Sequence, residues 1–538
     1  MRAIVAMGTL LVLLLGVVPG ALGEQRAEDE TATLVGELLR QLEGESDELH
    51  AFYAARSYRP AWQESETVAA FSAALHTLRR DGLDPQDYRP DSLMSRHRQL
   101  EADDLEARAR FERAATRVLL TALSHLQRGK VDPYAIDPDW EVPIAAPDLD
   151  LAAVSRAVDG QRFEQAFGLA RPDHPPYERL RTGLARYRNI ERLGGWPRLP
   201  EREAPLRPGD VHADVARLRE RLAIIGELEV MAADTGVFPG AVLEAPDAQR
   251  YDAPLEAAVK RFQRRHLLEA DGIVGRETRA ALNVPVQRRI DQIRLNLERA
   301  RWLLHGLPEV FVLVDIAGYR LSYFRPGGEI WRSRIVVGRP YRRTPSLRSA
   351  INRLTVNPSW TIPPTIRRQD VLPQVREDLG YLARERIQVL SPTGQRLDPE
   401  TIDWSRPGNV LLRQTPGPHN ALGRVAIRFP NDHLVYLHDT PARGLFAREQ
   451  RAFSSGCIRV EEAITFAQLL LDDTGTGRDL RELIADGRTR EVPLAERIPV
   501  ILHYWTVNPA EDGVLAFRPD IYRRDDALLR ALDRPLVL

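Results

Sequence analysis

The apolar period of this chain changes once, near Val310, and that change decides which kinds of domain it must contain. Before it, apolar residues recur at helical spacing: Val35, Leu38, Leu39 and Leu42 make one stripe, and Phe111, Ala115, Val118, Leu119, Ala122 and Leu126 make another. After it, Phe311 to Asp315, Arg320 to Phe324 and Ser333 to Val337 are β-rich and are broken by Gly318, Gly327-Gly328 and Gly338. Further strands are predicted at Arg353 to Asn357, Val425 to Phe429 and Leu434 to His438. A length of 538 residues leaves room for three or four domains of roughly 150 residues each. The expected fold class is multidomain α+β, helical first and mainly β last.

The helical part subdivides. Residues 1–23 hold Arg2, an apolar run from Ile4 to Val18, and the small residues Ala21 and Gly23 before Glu24, which reads as a signal for export. The run is shorter than the roughly 20 residues a membrane span needs, so the membrane matters only if this segment is retained as a tether. Residues 24–205 read as a helical scaffold, where His50, His76, His97 and His125 are scattered without catalytic spacing. Residues 206–284 form a small three-helix unit. Val215, Leu218, Leu222 and Ile225 predict a helix ended by Gly226, a second holds Leu255, Ala258, Val259, Phe262 and Leu267, and a third runs from Thr278 to Leu282. A connecting helix at 285–306 leads to the β domain, 307–520. Its strand pattern lapses over about 363–413, a predicted helical insertion able to act as a cover. A hairpin around Asp512-Gly513 closes the domain, and 521–538 form a C-terminal segment.

With 43% hydrophobic and 28% charged residues the composition is globular, and a net charge of -1 gives no reason to expect nucleic acid as a partner. One cysteine, Cys457, stands in the whole chain. In an exported protein it has no internal disulfide partner, so reactivity explains it better than packing does. The apolar periodicity from Glu461 to Leu471 places Cys457 just before a predicted helix, whose dipole, with Arg443, Arg448 and Arg451 nearby, would favour the thiolate. Tyr436 and His438, two apart on a strand, share a face and make His438 the candidate base. His433 and His419 are alternative bases. His433 and His438 are five apart, which does not suit a helical metal-ligand pair, so no metal is expected.

Tyr436-x-His438-x-Thr440 followed by Ser454-Ser455-Gly456-Cys457-x-Arg459 resembles the signature of the L,D-transpeptidases with a YkuD-type catalytic domain. The domain order resembles their large YcbB-like members, and Asn357-Pro358-Ser359-Trp360 and Gly417-Pro418-x-Asn420-Ala421-Leu422-Gly423 fit as well. Val259-Lys260-Arg261-Phe262-Gln263 with Asp271-Gly272-x-x-Gly275-x-x-Thr278 resembles the small peptidoglycan-binding domain of cell-wall enzymes. Many relatives carry histidine where this chain has Ser455. The resemblance implies cross-linking of peptidoglycan stem peptides in the periplasm, without a cofactor, through Cys457 as nucleophile and His438 as base. It implies that a backbone carbonyl such as that of Asp439 holds the histidine, and that backbone amides around Ser455, Gly456 and Cys457 stabilise the oxyanion. Tyr436, Trp360, Thr440 and Arg459 would meet substrate, and other cell-wall synthases would be partners. A cysteine hydrolase of the same stems and a non-catalytic wall-binding protein are the alternatives left open.

Overall fold

The computed structural model describes residues 32–144, 146–228 and 248–536. The export signal expected at 1–23 lies outside them. Among the described residues no helix is long and apolar enough to cross a membrane.

Eight strands carry the β domain: β1 (Phe311–Asp315), β2 (Arg320–Arg325), β3 (Gly328–Gly338), β4 (Ser346–Val356), β5 (Val425–Arg428), β6 (Leu437–His438), β7 (Ile458–Val460) and β8 (Arg490–His503). They pair in the order β4-β8-β1-β2-β3-β7-β6-β5, and β5 pairs back onto β4, so the sheet closes on itself and leaves few free edges. Alternate residues point inward. Val312, Val314, Leu321, Tyr323, Ile335, Val337, Ile427, Leu437 and Ile458 are all fully buried in one core. Truncating one of them, Leu437 for example, to alanine costs about 2–5 kcal/mol. The alternation also turns their neighbours Arg428, Tyr436, His438, Cys457 and Arg459 to the outside of the barrel.

The connecting helix spans Val286–Leu304, as the periodicity predicts. Ile290, Ile293, Leu297 and Ala300 pack with Tyr177, Leu180 and Leu184 of the helix Pro175–Arg192 and with Phe311 and Ile501 on the barrel exterior. Its opposite side sends Leu295 and Trp302 into the scaffold core, so the helix is the shared wall between scaffold and barrel. The scaffold also adds Trp140–Glu141 as a short parallel strand beside β4.

The small unit has the three expected helices, Ala213–Ile225, Ala253–Arg265 and Arg276–Leu282, around Val215, Leu218, Leu222, Leu255, Val259 and Phe262. Leu267 is not in the second helix, because the chain leaves it at Arg265 and turns through a left-handed Leu267. Gln263 ties the following turn, donating to Asp271 Oδ1 at 2.9 Å and accepting from Gly272 N at 2.9 Å.

Two expectations about the β domain need correction. The segment predicted as a helical insertion at 363–413 is a small α/β cap that starts at Trp360 and ends at Gln414. Trp360–Thr361, Leu411–Gln414 and Ile387–Leu390 form a three-stranded sheet, and Ile362, Val371, Val375, Leu382, Val389 and Leu412 give it a separate core. Its strands have two to four residues, too few for a period-2 signal. The hairpin Val507–Pro509 with Leu515–Phe517 exists, but it forms its own two-stranded sheet against the scaffold side, and the strand that closes the barrel is the long β8. The C-terminal segment is not an appendage of the β domain: the helix Asp525–Leu532 returns Leu528 and Leu532 to the scaffold core.

Candidate active site

His438 of β6, Arg459 of β7 and the residues just before these strands form the floor of a cleft of about 1050 Å³. Register sets His438 between Ala426 and Arg459, and the small Ala426 leaves the imidazole room. His438, Tyr436, Cys457 and Arg459 all line the cleft, with Trp360 on the cap side. The Tyr436 and His438 ring centroids are 5.7 Å apart, in keeping with a shared face. The supporting strand is shorter than predicted. Only Leu437 and His438 pair regularly, because Asn431 accepts from Val435 N at 3.0 Å and donates to Val435 O at 2.9 Å, folding the preceding residues into a tight loop. Leu434 there has left-handed backbone (φ 56°) and is 81% exposed.

His438 is buried, and its Nδ1 lies 2.6 Å from the Asp439 carbonyl oxygen. That acceptor fixes the proton on Nδ1 and leaves Nε2 as the basic nitrogen. Burial, then the Arg459 charge, push the His438 pKa down to about 3, so the ring is neutral at neutral pH. The Asp439 carboxylate accepts from Arg424 N at 2.9 Å and from Arg443 at 3.2 Å. Gly423 makes that approach possible, since a Cβ there would sit 2.3 Å from the carboxylate oxygen.

The surroundings of Cys457 differ from expectation. The residues after it form the strand β7, and the helix begins only at Ala463 after a left-handed Glu462, so the helix dipole is too far away to act on the sulfur. Arg443 pairs with Asp439, and Arg451 donates to backbone carbonyls of Ile335, Tyr319 and Arg448, so neither serves the thiol. Burial raises the thiol pKa, opposed by hydrogen bonds from the Tyr436 amide and hydroxyl and by the charges of Arg428 and Arg459. The cleft therefore holds a thiol and, at neutral pH, a neutral imidazole.

Gly456 takes φ +116°, a conformation only glycine adopts readily, which turns the chain sharply into Cys457. Its N–H donates to Ser454 Oγ at 3.1 Å, and the same hydroxyl donates to Cys457 O at 2.6 Å. The Gly456 amide is thus engaged in holding the turn and is not a free oxyanion donor. Ser455 Oγ accepts from Arg342 at 2.7 Å. Thr440, expected at the substrate, is 2% exposed and does not line the cleft; its hydroxyl accepts from Ala442 N at 3.2 Å. Alternation along a strand that ends at His438 does not reach it. His433 lines the cleft but faces Glu141 of the scaffold at 3.0 Å, and His419 is exposed on a loop.

Sequence reasoning singled out Arg459 but missed the other arginines of the cleft. Arg339, Arg342 and Arg343 come from the loop after β3 and line the cleft. Arg342 also donates to Gln369 and Asp370 of the cap at 2.7 and 2.5 Å, joining the cap to the turn before Cys457. Arg459 has a buried Nε without a hydrogen-bond partner, and burial followed by the nearby Arg339 lowers its pKa. Arginine is too common in this chain for any one to stand out.

Residues 309–488 match the family described as L,D-transpeptidase catalytic domain, 211–282 match the "Putative peptidoglycan binding domain", and 47–184 match the "Scaffold domain". A Haemophilus influenzae protein named "Putative L,D-transpeptidase" is 38% identical over 218 residues, 40% of this chain. The chain spans 44% of that relative's length. Among solved structures, an L,D-transpeptidase of Stackebrandtia nassauensis is 13% identical, with 57% of this chain and 96% of that one covered and a TM-score of 0.22. For an L,D-transpeptidase of Xylanimonas cellulosilytica the identity is 15%, the coverage 56% and 100%, and the TM-score 0.18. The outward row of β5 to β7 thus lies inside the matched catalytic segment, and the chain carries in order segments that match a scaffold domain, a peptidoglycan-binding domain and a YkuD-type L,D-transpeptidase catalytic domain.

Proposed function

We propose that this chain cross-links peptidoglycan stem peptides in the periplasm through an acyl-enzyme on Cys457. The observation that carries the reading is the pairing of a neutral, carbonyl-held His438 with the chain's one thiol in a single cleft. His438 Nε2 takes the thiol proton as sulfur attacks the carbonyl of the third residue of a tetrapeptide stem. The tetrahedral oxyanion collapses, the proton passes to the leaving D-alanine amine, and a thioester remains. An amine from a neighbouring stem then attacks the thioester, His438 takes its proton, and the thiol is restored as the new amide leaves. With the Gly456 amide already engaged, the Ser455 and Cys457 amides are the backbone donors of that turn left for the oxyanion. Arg459, largely desolvated and without a carboxylate partner among the described residues, suits a carboxylate of the substrate.

The cap stands over this cleft through Trp360, Thr361, Pro363 and Ile366. By limiting water at the thioester it would favour transfer over hydrolysis. The 206–284 unit would hold the wall polymer, residues 1–23 would direct export, and other synthases would share the substrate. Mass spectrometry after exposure to a tetrapeptide donor tests the chemistry. The expected result is an acyl adduct on Cys457 with release of D-alanine, and an unmodified Cys457 with folded protein would remove the reading.

A further inference from the structure

Arg428 lies outside the motif residues that mark the site, yet the sheet brings it to the sulfur. Carrying the β5–β6 and β6–β7 registers one residue further sets Arg428, Tyr436 and Cys457 side by side in a row across the barrel surface. The Arg428 guanidinium carbon is 3.9 Å from the centre of the Tyr436 ring, a close cation–π contact. Arg428 Nε donates to Thr355 Oγ1 at 3.2 Å, and that hydroxyl donates to Glu491 Oε1 at 2.8 Å. Thr355 is 5% exposed and pairs with Glu491 in the β4–β8 register, so the guanidinium is anchored from behind by two strands. On its other side the register sets the same Tyr436 ring next to Cys457.

We propose that Arg428 is a positioning residue for Cys457, which holds the Tyr436 ring beside the sulfur and which supplies a fixed positive charge to the thiolate as it forms. The proposal rests on the reading of Cys457 as the nucleophile. Other charged or titratable groups around the sulfur play different parts. Arg459 neighbours it on β7, Arg339 and Arg343 come from the loop after β3, Arg342 is neutralised by Asp370 of the cap, and His438 is held neutral. Of the cations, Arg428 is the one stacked on the tyrosine ring that stands beside Cys457 in the register. Both it and Arg459 favour the thiolate against the burial that opposes it.

The test is the pH profile of Cys457 alkylation by iodoacetamide in the full chain, read by mass spectrometry, for the parent, Arg428→Gln, Arg428→Lys and Thr355→Val. In Arg428→Gln the thiol pKa should rise by about one unit, which is about a tenfold loss of alkylation rate below that pKa. Arg428→Lys should recover part of the loss, and Thr355→Val should shift the profile the same way by less. With a tetrapeptide donor, kcat should fall about tenfold in Arg428→Gln while KM stays within about twofold. An unchanged alkylation profile in folded Arg428→Gln overturns the proposal, and should that variant not fold, unchanged profiles in Arg428→Lys and Thr355→Val overturn it equally. Because iodoacetamide needs no stem substrate, a shifted profile without a stem adduct supports the role of Arg428 while the transpeptidase reading fails.

Discussion

Arg301 and Arg459 are both withdrawn from water, and the difference between them is where the counter-charge comes from. Arg301, 0% exposed on the connecting helix, donates to Glu298 at 2.6 Å, to the Tyr177 hydroxyl at 2.9 Å and to the Asp81 carbonyl at 2.9 Å. Asp81 in turn is paired with Arg171 and Arg181, each at 2.9 Å, and Glu298 also accepts from Val131 N at 2.7 Å. Every carboxylate and guanidinium of this cluster finds its opposite charge inside the chain. Arg459 finds no such partner among the described residues, and the nearby Arg339 repels it. Desolvating a cation is expensive unless it is matched. The first cluster therefore reads as a joint between scaffold and barrel, and the second as a place that awaits an anion from outside.

The largest effect that sharpens this contrast is on the chemistry alone. Cys457→Ala should lower turnover by at least about a thousandfold with an unchanged melting temperature. His438→Ala should slow acylation by roughly a hundredfold or more, measured as the rate of adduct formation. Normal acylation in that variant would shift the base to another group and dissolve the pairing on which the reading depends.

Next come the charges themselves. Asp81→Ala should destabilise the fold by roughly 3–5 kcal/mol, because it removes a fully buried carboxylate and leaves Arg171 and Arg181 only the exposed Glu164 and Glu178 as partners, while molecules that remain folded keep their turnover. Arg459→Leu should do the reverse, leaving stability equal or higher in denaturant unfolding and raising KM for the donor. If Arg459→Leu unfolds as readily as Asp81→Ala, the two clusters are of one kind and the contrast fails.

A smaller effect is expected with acid. His125 and His503 are held at about 4 and His438 at about 3, chiefly by burial. Each regains the ordinary imidazole value near 6.5 on unfolding, so unfolding takes up protons and stability falls as pH drops from about 6.5 towards 4, by at most about 1.4 kcal/mol per pH unit for each histidine. Melting temperatures at pH 7 and pH 5 should show the loss, and a flat profile would mean these rings are already protonated when folded. Smallest of all, Thr440→Val should leave donor KM within about twofold and cost about 1 kcal/mol, since its hydroxyl serves only the Ala442 amide. A large rise in KM would return Thr440 to the substrate.

Much of this arrangement was legible in advance where the signal was either long or rare. Nineteen residues of apolar period delimit the connecting helix, and a lone cysteine with a histidine on the preceding strand locates the cleft. What stayed hidden depends on contacts between distant segments or on very short elements. Arg342 meets Asp370 and Ser455, far from it in the chain, and nothing in its own neighbourhood announces either. The strand Ile458–Val460 has three residues and is followed at once by the helical period from Glu461, so no strand is predicted between Cys457 and that helix. The lowered thiol pKa expected from that helix vanished with it, and burial decided the sign instead.

The helix Asp525–Leu532 finishes the core of the scaffold, and Lys130 of that scaffold donates to the carbonyls of Leu532 and Arg534 at 2.7 and 2.8 Å. A ribosome therefore makes the first folding unit incomplete and supplies its missing piece after the barrel and the cleft have been synthesised. Loss of these few residues to a protease or a premature stop would surface as a defect in the opening domain, far along the chain from the lesion. Such a molecule would betray its truncation to quality control through exposed scaffold hydrophobics while the sequence of its catalytic cleft was intact.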